Sequence, residues 1–369
     1  MSATVALVMG TRPEIIKLAP VAAALGAAAE PVFTGQHYDA ELTDVFFAAV
    51  GMPRPTPAVT GVGGRDRSDQ ISLMLAGLTE RFRAHRPGAV VVQGDTNSAN
   101  AGAQAAHYLG IPVVHVEAGL RSRDRAMPEE INRLVIGALA DVHCAATPAN
   151  AQNLLRGDAP PHSVHVTGNT IVEATRRALP GPAARAALRA EHGVLERYYV
   201  LATVHRPENT DDPARLQALL TELGQLGRPV LLPLHPRTRA RMVTADTRVP
   251  ATVRMVPPVD HPTFLGLAAE AELLVSDSGG VQEEVTVLGK PLVVVRNSTE
   301  RPEAIEAGFA VLTRPGGITA AAAHLLRPGW PEQLAGLDSP FGDGRAGERI
   351  AALALAAAGL AARLAARAA

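Results

Sequence analysis

Leu273 to Glu303 reads LLVSDSGGVQEEVTVLGKPLVVVRNSTERPE. The apolar run Leu273 to Val275 predicts a buried strand. Ser276 to Gly280 predicts a turn, and Val281 to Leu288 a helix stopped by Gly289. Pro291 to Val295 is a second buried strand. Together they make one βαβ unit, with a small-residue loop feeding a helix N-terminus. Such a loop suits an anion, because glycines let backbone come close and the helix dipole favours negative charge. Glu283 and Glu284 argue against free phosphate, since carboxylates repel it. One turn into the helix, a carboxylate can instead accept two hydrogen bonds from a ribose cis-diol. Loop and glutamates together point to a nucleoside diphosphate, with Arg301 as a further cation for it. A tight turn with solvated glutamates explains the loop equally well.

The chain has 369 residues, enough for two domains. Hydrophobic residues at 47% suffice for two cores, and only 3% aromatics suits alanine, leucine and valine packing of helices on sheets. A formal net charge of -1 gives no electrostatic case for a nucleic-acid partner. One cysteine, Cys144, excludes an internal disulfide framework and a cysteine zinc site, and fits a reducing cytosol. Its simplest role is a small buried hydrophobe. The N-terminus carries no signal-peptide signature. Ile350 to Ala369 is alanine-rich but holds Arg363 and Arg367, which predicts an amphipathic packing helix and no membrane span.

Outward from the opening unit, strand and helix alternate. Strands are expected at Val5 to Met9, Pro31 to Thr34, Ala89 to Gln93, Pro112 to Val116 and Asp141 to Ala145. Helices are expected at Ile15 to Leu25, Tyr38 to Val50, Gln70 to Arg83, from Asn97 through Tyr108, and from Pro128. Thr56 to Asp66 reads as a loop. Pro180 to Pro182 interrupts a helix begun at Thr170 and marks a hinge. A second alternating set follows, with strands at Val200 to Val204, Val230 to Leu234 and Val253 to Val256, and helices at Pro213 to Leu226 and Pro262 to Ala269. This pattern means two mostly parallel, doubly wound sheets. Ligands bind beyond the carboxyl ends of such strands. Arg12 and Lys17, Asp95, Glu117, His205 and His235 all fall there. Asp95 alone reads best as a helix N-cap. With Glu117 and Glu129 it forms an acidic group, in which neighbouring charges raise at least one pKa. Asn132 and Arg133 share a helix face with Glu129. No His or Cys accompanies these acids at zinc-ligand spacing, so no metal is expected.

Read in order, the motifs are GTRPEIIK from Gly10, TGQH from Thr34, QGDTNS from Gln93, HVEAGLRS from His115 and PEEINR from Pro128. TPAN from Thr147, TGNT from Thr167, HRPEN from His205, DSGGVQEE from Asp277 and TERPE from Thr299 complete the set. The set resembles the non-hydrolysing UDP-N-acetylglucosamine 2-epimerases, over Gly10 to about Thr313. The resemblance implies an α/β, GT-B architecture of two Rossmann-like domains with an interdomain active-site cleft. These would span residues 1–170 and 171–349, with the terminal helix near 350–369 returning to the first. It assigns Asp95, Glu117 and Glu129 to the catalytic acids, and Arg133 and His205 to positioning the leaving UDP. It places Arg12 and Lys17 near the diphosphate or sugar, Phe264 at the uracil, and Ser278, Gly279 and Gly280 at the diphosphate. Glu284 becomes the ribose carboxylate and Arg301 a further active-site arginine.

The implied reaction eliminates UDP across C1–C2 to give bound 2-acetamidoglucal, then adds it back with the proton on the opposite face. It needs no redox cofactor. Domain closure would retain the glycal. A cytosolic homodimer is implied as well. Two features bear on substrate. The short segment from Arg121 to Pro128 and the MPEEINR form also occur in epimerases of UDP-diacetamido-glucuronic acid. Asp39 stands where substrate-activated members carry glutamine. A GT-B glycosyltransferase, a hydrolysing 2-epimerase and a non-catalytic sugar-nucleotide sensor are the competing readings.

Overall fold

The computed structural model describes residues 4–36, 47–53, 55–194 and 198–368. They form two compact units, 1–174 with 341–369 and 175–340.

In the first unit, Val5–Met9 (β1) is buried at every position. Its alternation splits the core in two. Val5, Leu7 and Met9 face one side, with Ile15 and Leu18 of the helix Arg12–Leu25 and Ile350 of the helix Ala346–Ala368. Ala6 and Val8 face the other, with Met74 and Leu78 of the helix Arg67–Ala84 and the alanines of Asn97–Tyr108. A strand buried on both faces reads as a continuous apolar run, which is why the alternation is absent from its sequence. The remaining strands are Ala29–Phe33 (β2), Thr56–Pro57 (β3), Ala89–Gln93 (β4), Val113–Ala118 (β5), Val142–Ala145 (β6) and Val164–Val166 (β7). All pair in parallel, in the order β3-β2-β1-β4-β5-β6-β7. Strand order reverses between β1 and β4, the place where open α/β sheets leave a crevice for ligands.

The second unit repeats this plan. Its strands are Val200–Thr203 (β8), Val230–Pro233 (β9), Val253–Val256 (β10), Leu273–Ser276 (β11), Leu292–Val295 (β12) and Ala310–Thr313 (β13). They run in parallel in the order β10-β9-β8-β11-β12-β13. The reversal here lies between β8 and β11.

Several local expectations need correction. The first helix starts at Arg12, so Arg12, Pro13 and Glu14 form its first turn and not a loop. Proline is favoured there, since its missing N–H costs the helix nothing. Thr56–Pro57 is a short edge strand on β2, too brief for any periodicity to reveal. Glu117 and Ala118 belong to β5, with a register shift between Val116 and Ala118. Gly279 and Gly280 lie inside their helix, Gly279–Leu288. The proline break at 180–182 is followed at once by another helix, Pro182–Glu191. Of the helix expected over Tyr38 to Val50, residues 47–49 are helical. Its earlier part, with His37 and Asp39, lies outside the described residues.

Candidate active site

The first unit carries its acids on adjacent strands. Gly94 and Asp95 follow β4, and Gly94 is pinned because its carbonyl bonds His115 Nε2 at 2.8 Å. Burial drives that histidine pKa down to about 3, so it serves here as a neutral strut. Asp95 is not the helix cap. Thr96 takes that place, its hydroxyl accepting from Ala99 N at 3.0 Å. The Asp95 carboxylate instead accepts from Arg133 Nε at 2.9 Å and Nη2 at 2.5 Å. Asn132 Nδ2 donates to the Asp95 carbonyl at 2.8 Å, so one helix turn grips both ends of the residue.

Glu117, the last residue but one of β5, has a left-handed conformation, φ 62°. Strain of this kind costs about 1–3 kcal/mol in a residue with a Cβ and clusters at functional sites. Combined with the register shift, it takes the side chain out of the strand's regular alternation. Lys17 Nζ and Gln93 Nε2 both reach Glu117 Oε2 at 2.5 Å. Lys17 and Glu117 are both buried, so each offsets the other's charge where little water reaches. This also explains a lysine in the first turns of a helix, where the dipole opposes it.

Glu14, unremarked in the sequence, joins the two sides of the crevice. Its Oε2 accepts from Gly10 N at 2.9 Å, Thr11 N at 2.8 Å and Thr11 Oγ1 at 2.8 Å. Its Oε1 accepts from Thr96 Oγ1 at 2.6 Å. Burial raises its pKa to about 7, against the opposing pull of those four bonds. Thr11-Arg-Pro-Glu14 is a capping-box spacing, so a signal was there to read. Glu129 is half-buried, and its side chain makes no hydrogen bond or ion pair among the described residues. Of these two adjacent glutamates it is Glu130 that joins Asp95 on Arg133, at 3.0 Å from Nη1. Arg12 is exposed in the first helical turn.

In the second unit, Asp277 organises the crevice between β8 and β11. It accepts from the backbone N–H groups of His205 at 3.1 Å and Arg206 at 2.9 Å, and from Asn209 Nδ2 at 3.0 Å. His205 Nδ1 lies 3.2 Å from Asp277 Oδ1. Burial alone would raise the Asp277 pKa, but the His205 contacts, Asn209 and the Arg206 N–H bring it below the ordinary value. A proton on Nδ1 leaves Nε2 of the neutral ring as the acceptor. The His235 ring stands 6.0 Å from that of His205.

Ser278 caps the helix Gly279–Leu288 without a side-chain bond, so the first-turn N–H groups are not satisfied by a capping side chain. Arg301 lies against this turn. It donates from Nε to Glu283 at 2.7 Å and from Nη1 to Glu300 at 2.8 Å. Burial pushes the Glu300 pKa up, but Arg301, Arg296 and Arg206 hold it down at about 2. A Cβ on Gly279 would sit 2.8 Å from Arg301 Nη1, so any larger residue there would make the guanidinium shift. Neither glutamate is solvated, because both are buried. Glu284 Oε1 is 2.8 Å from His261 Nε2, a partner that no local spacing signalled. Phe264 is half-buried, three residues after His261 in the helix His261–Glu270.

Arg133 therefore joins Asp95, Lys17 joins Glu117, and Arg301 stands beside Gly279. Among the described residues, no helix is long and apolar enough to cross a membrane.

The family model described as UDP-N-acetylglucosamine 2-epimerase matches residues 23–355. The UDP-N-acetylglucosamine 2-epimerase of Methanocaldococcus jannaschii is 36% identical over 361 residues, 93% of this chain and 96% of that protein. The UDP-2,3-diacetamido-2,3-dideoxy-D-glucuronate 2-epimerase of Pseudomonas aeruginosa is 32% identical over 353 residues, 93% and 97% of the two. The crystal structure of the UDP-GlcNAc 2-epimerase of Neisseria meningitidis bound to UDP-GlcNAc matches with a TM-score of 0.87 and 30% identity. It covers 96% of this chain and 100% of that one.

Proposed function

The chain belongs to the UDP-N-acetylglucosamine 2-epimerase family, and from that premise we propose that it interconverts UDP-N-acetylglucosamine and UDP-N-acetylmannosamine. Its two α/β units have the Rossmann-like topologies of the GT-B architecture. The C2 hydrogen of the sugar has no adjacent carbonyl, so its direct removal would leave an unstabilised carbanion. Elimination avoids this. The C2–H and C1–O bonds break, C1=C2 forms, and UDP leaves with the C1–O electron pair. Adding UDP back at C1, with a proton delivered to the opposite face of C2, gives the epimer. No electron is gained or lost overall.

Asp95, Glu117 and Glu129 divide the general base and acid roles. The observation that carries this reading is the pair of acids at the ends of adjacent strands β4 and β5, each beside a buried cation, Arg133 or Lys17. Such pairing fixes the direction of each carboxylate. Arg12 and Lys17 lie on the side of the sugar and diphosphate. Arg133 acts through Asp95. The helix start at Ser278, Gly279 and Gly280, with Arg301, takes the diphosphate, while Glu284 takes the ribose and Phe264 the uracil. His205, oriented by Asp277, donates from Nε2 to the departing phosphate oxygen when its ring carries both protons. Donors aimed at that oxygen are worth most as charge develops on it.

Enzyme mixed with UDP-N-acetylglucosamine in D2O and followed by NMR tests the proposal. UDP-N-acetylmannosamine should form with deuterium at C2. Asp95→Asn, Glu117→Gln and Glu129→Gln should each lower turnover about 10²–10⁴-fold while UDP still binds. Their effects should not add, since the groups act as a unit. Inversion without deuterium, or three variants of near-normal turnover, would overturn the assignment. Free N-acetylmannosamine as product would indicate hydrolysis instead. The relative from Pseudomonas aeruginosa motivates a parallel run with the diacetamido-uronate nucleotide. Likeness to the family also leads us to infer a cytosolic homodimer. Light scattering that finds monomer alone at working concentration would refute the dimer.

A further inference from the structure

Glu284 lies four residues after Gly280, hence one turn deeper on the same face of the helix. A glutamate has three rotatable bonds, and ordering such a side chain has an entropic cost. Here that freedom is already removed. His261 Nε2 lies 2.8 Å from Glu284 Oε1, with side-chain exposures of only 15% and 9%. His261 is itself fixed. It is the first residue of its helix, whose cap, Asp260, accepts from Thr263 N at 2.8 Å. Phe264 follows three residues on, close to the same helix face. One capped turn thus carries the histidine that grips the carboxylate and the phenylalanine assigned to the uracil.

We propose that His261 is a positioning residue for nucleotide recognition: it donates from Nε2 to Glu284 Oε1 and aims the carboxylate at the ribose hydroxyls. The proposal rests on the ribose reading of Glu284. A carboxylate offers about four acceptor directions over its two oxygens. With one direction on Oε1 taken by His261, the other on Oε1 and those on Oε2 are presented to the 2′ and 3′ hydroxyls. The hydrogen bond also directs charge to where the diol donates. The ribose is remote from C2, so the contribution is to binding.

The test compares UDP with 2′,3′-dideoxy-UDP by calorimetry. His261→Phe keeps a ring but removes the donor. It should weaken UDP about tenfold and leave dideoxy-UDP unchanged. His261→Gln keeps an N–H donor and should restore most of the UDP affinity. A merely structural histidine would make His261→Phe weaken both ligands equally, and that result overturns the proposal. So does unchanged UDP affinity, or a His261→Gln variant as weak as His261→Phe. Glu284→Ala separates the two ideas. If Glu284→Ala fails to discriminate the ligands, the ribose reading falls. If it discriminates and His261→Phe does not, only the role of His261 falls.

Discussion

Glu14 shows how far one buried carboxyl can tie a site to pH. Its four hydrogen bonds cross from the end of β1 to the loop after β4, so it braces the crevice next to Asp95. Burial lifts its pKa from 4.5 to about 7 in the folded protein. Between those values the native state binds the proton and the unfolded state does not. Stability must therefore fall as pH rises through that window, by on the order of 3 kcal/mol for this group. Glu14→Gln is neutral at every pH. Urea unfolding at pH 5 and pH 8 should show the wild type losing more stability than the variant over that interval. Equal losses would mean that Glu14 is not protonated in the native state at pH 5. Taking the difference cancels oppositely signed groups such as His115.

The helix Gly279–Leu288 illustrates a conflict between stability and function within one element. Glycine in a helix is worse than alanine by about 1 kcal/mol. Gly279 nevertheless stands in the first turn, where a Cβ would press on Arg301 Nη1. The arginine cannot swing away freely, because Glu283 and Glu300 hold it. Gly279→Ala should therefore leave the melting temperature near wild type while UDP affinity drops about tenfold through a displaced Arg301. A variant binding UDP normally would show that Arg301 does not serve the diphosphate. This element was largely legible in advance, since its apolar flanks, glycine stop and small-residue loop are local signals. Its boundary was not, because nothing local says that the two glycines are already helical.

At the level of the molecule, one continuous segment, 175–340, forms the second unit, and the chain then returns to the first. The returning helix Ala346–Ala368 buries Ala346, Ile350, Ala351, Ala354 and Ala358 in the core with Leu18 and Val21. Small side chains there let two helices pack closely on β1. All groups assigned to UDP itself on the helix Gly279–Leu288 belong to the second unit. Adding UDP at a hundred times its dissociation constant should stabilise its binding unit by about 2.7 kcal/mol. Scanning calorimetry should show the transition of the second unit move upward. A thermogram unchanged by UDP would refute the assignment of the nucleotide to this unit.

The alternation of strand and helix, the polar strand ends and the glycine loop were legible in the sequence, because each depends on residues within a turn or two of one another. Burial on both faces makes a parallel strand an apolar run, and a loop feeding a helix needs only its own glycines and dipole. The partners of the acids were another matter. Lys17 meets Glu117 across 100 positions, Arg133 meets Asp95 across 38, and His261 meets Glu284 across 23. Local periodicity cannot tell which strands become neighbours. That follows from the order β3-β2-β1-β4-β5-β6-β7, and its counterpart in the second unit, once the cores close. Only then does a left-handed Glu117 point at a lysine, and only then does a histidine at a helix start find its carboxylate. A buried charge needs its partner within a few ångströms, and that distance is set by strand order and packing, not by spacing along the chain.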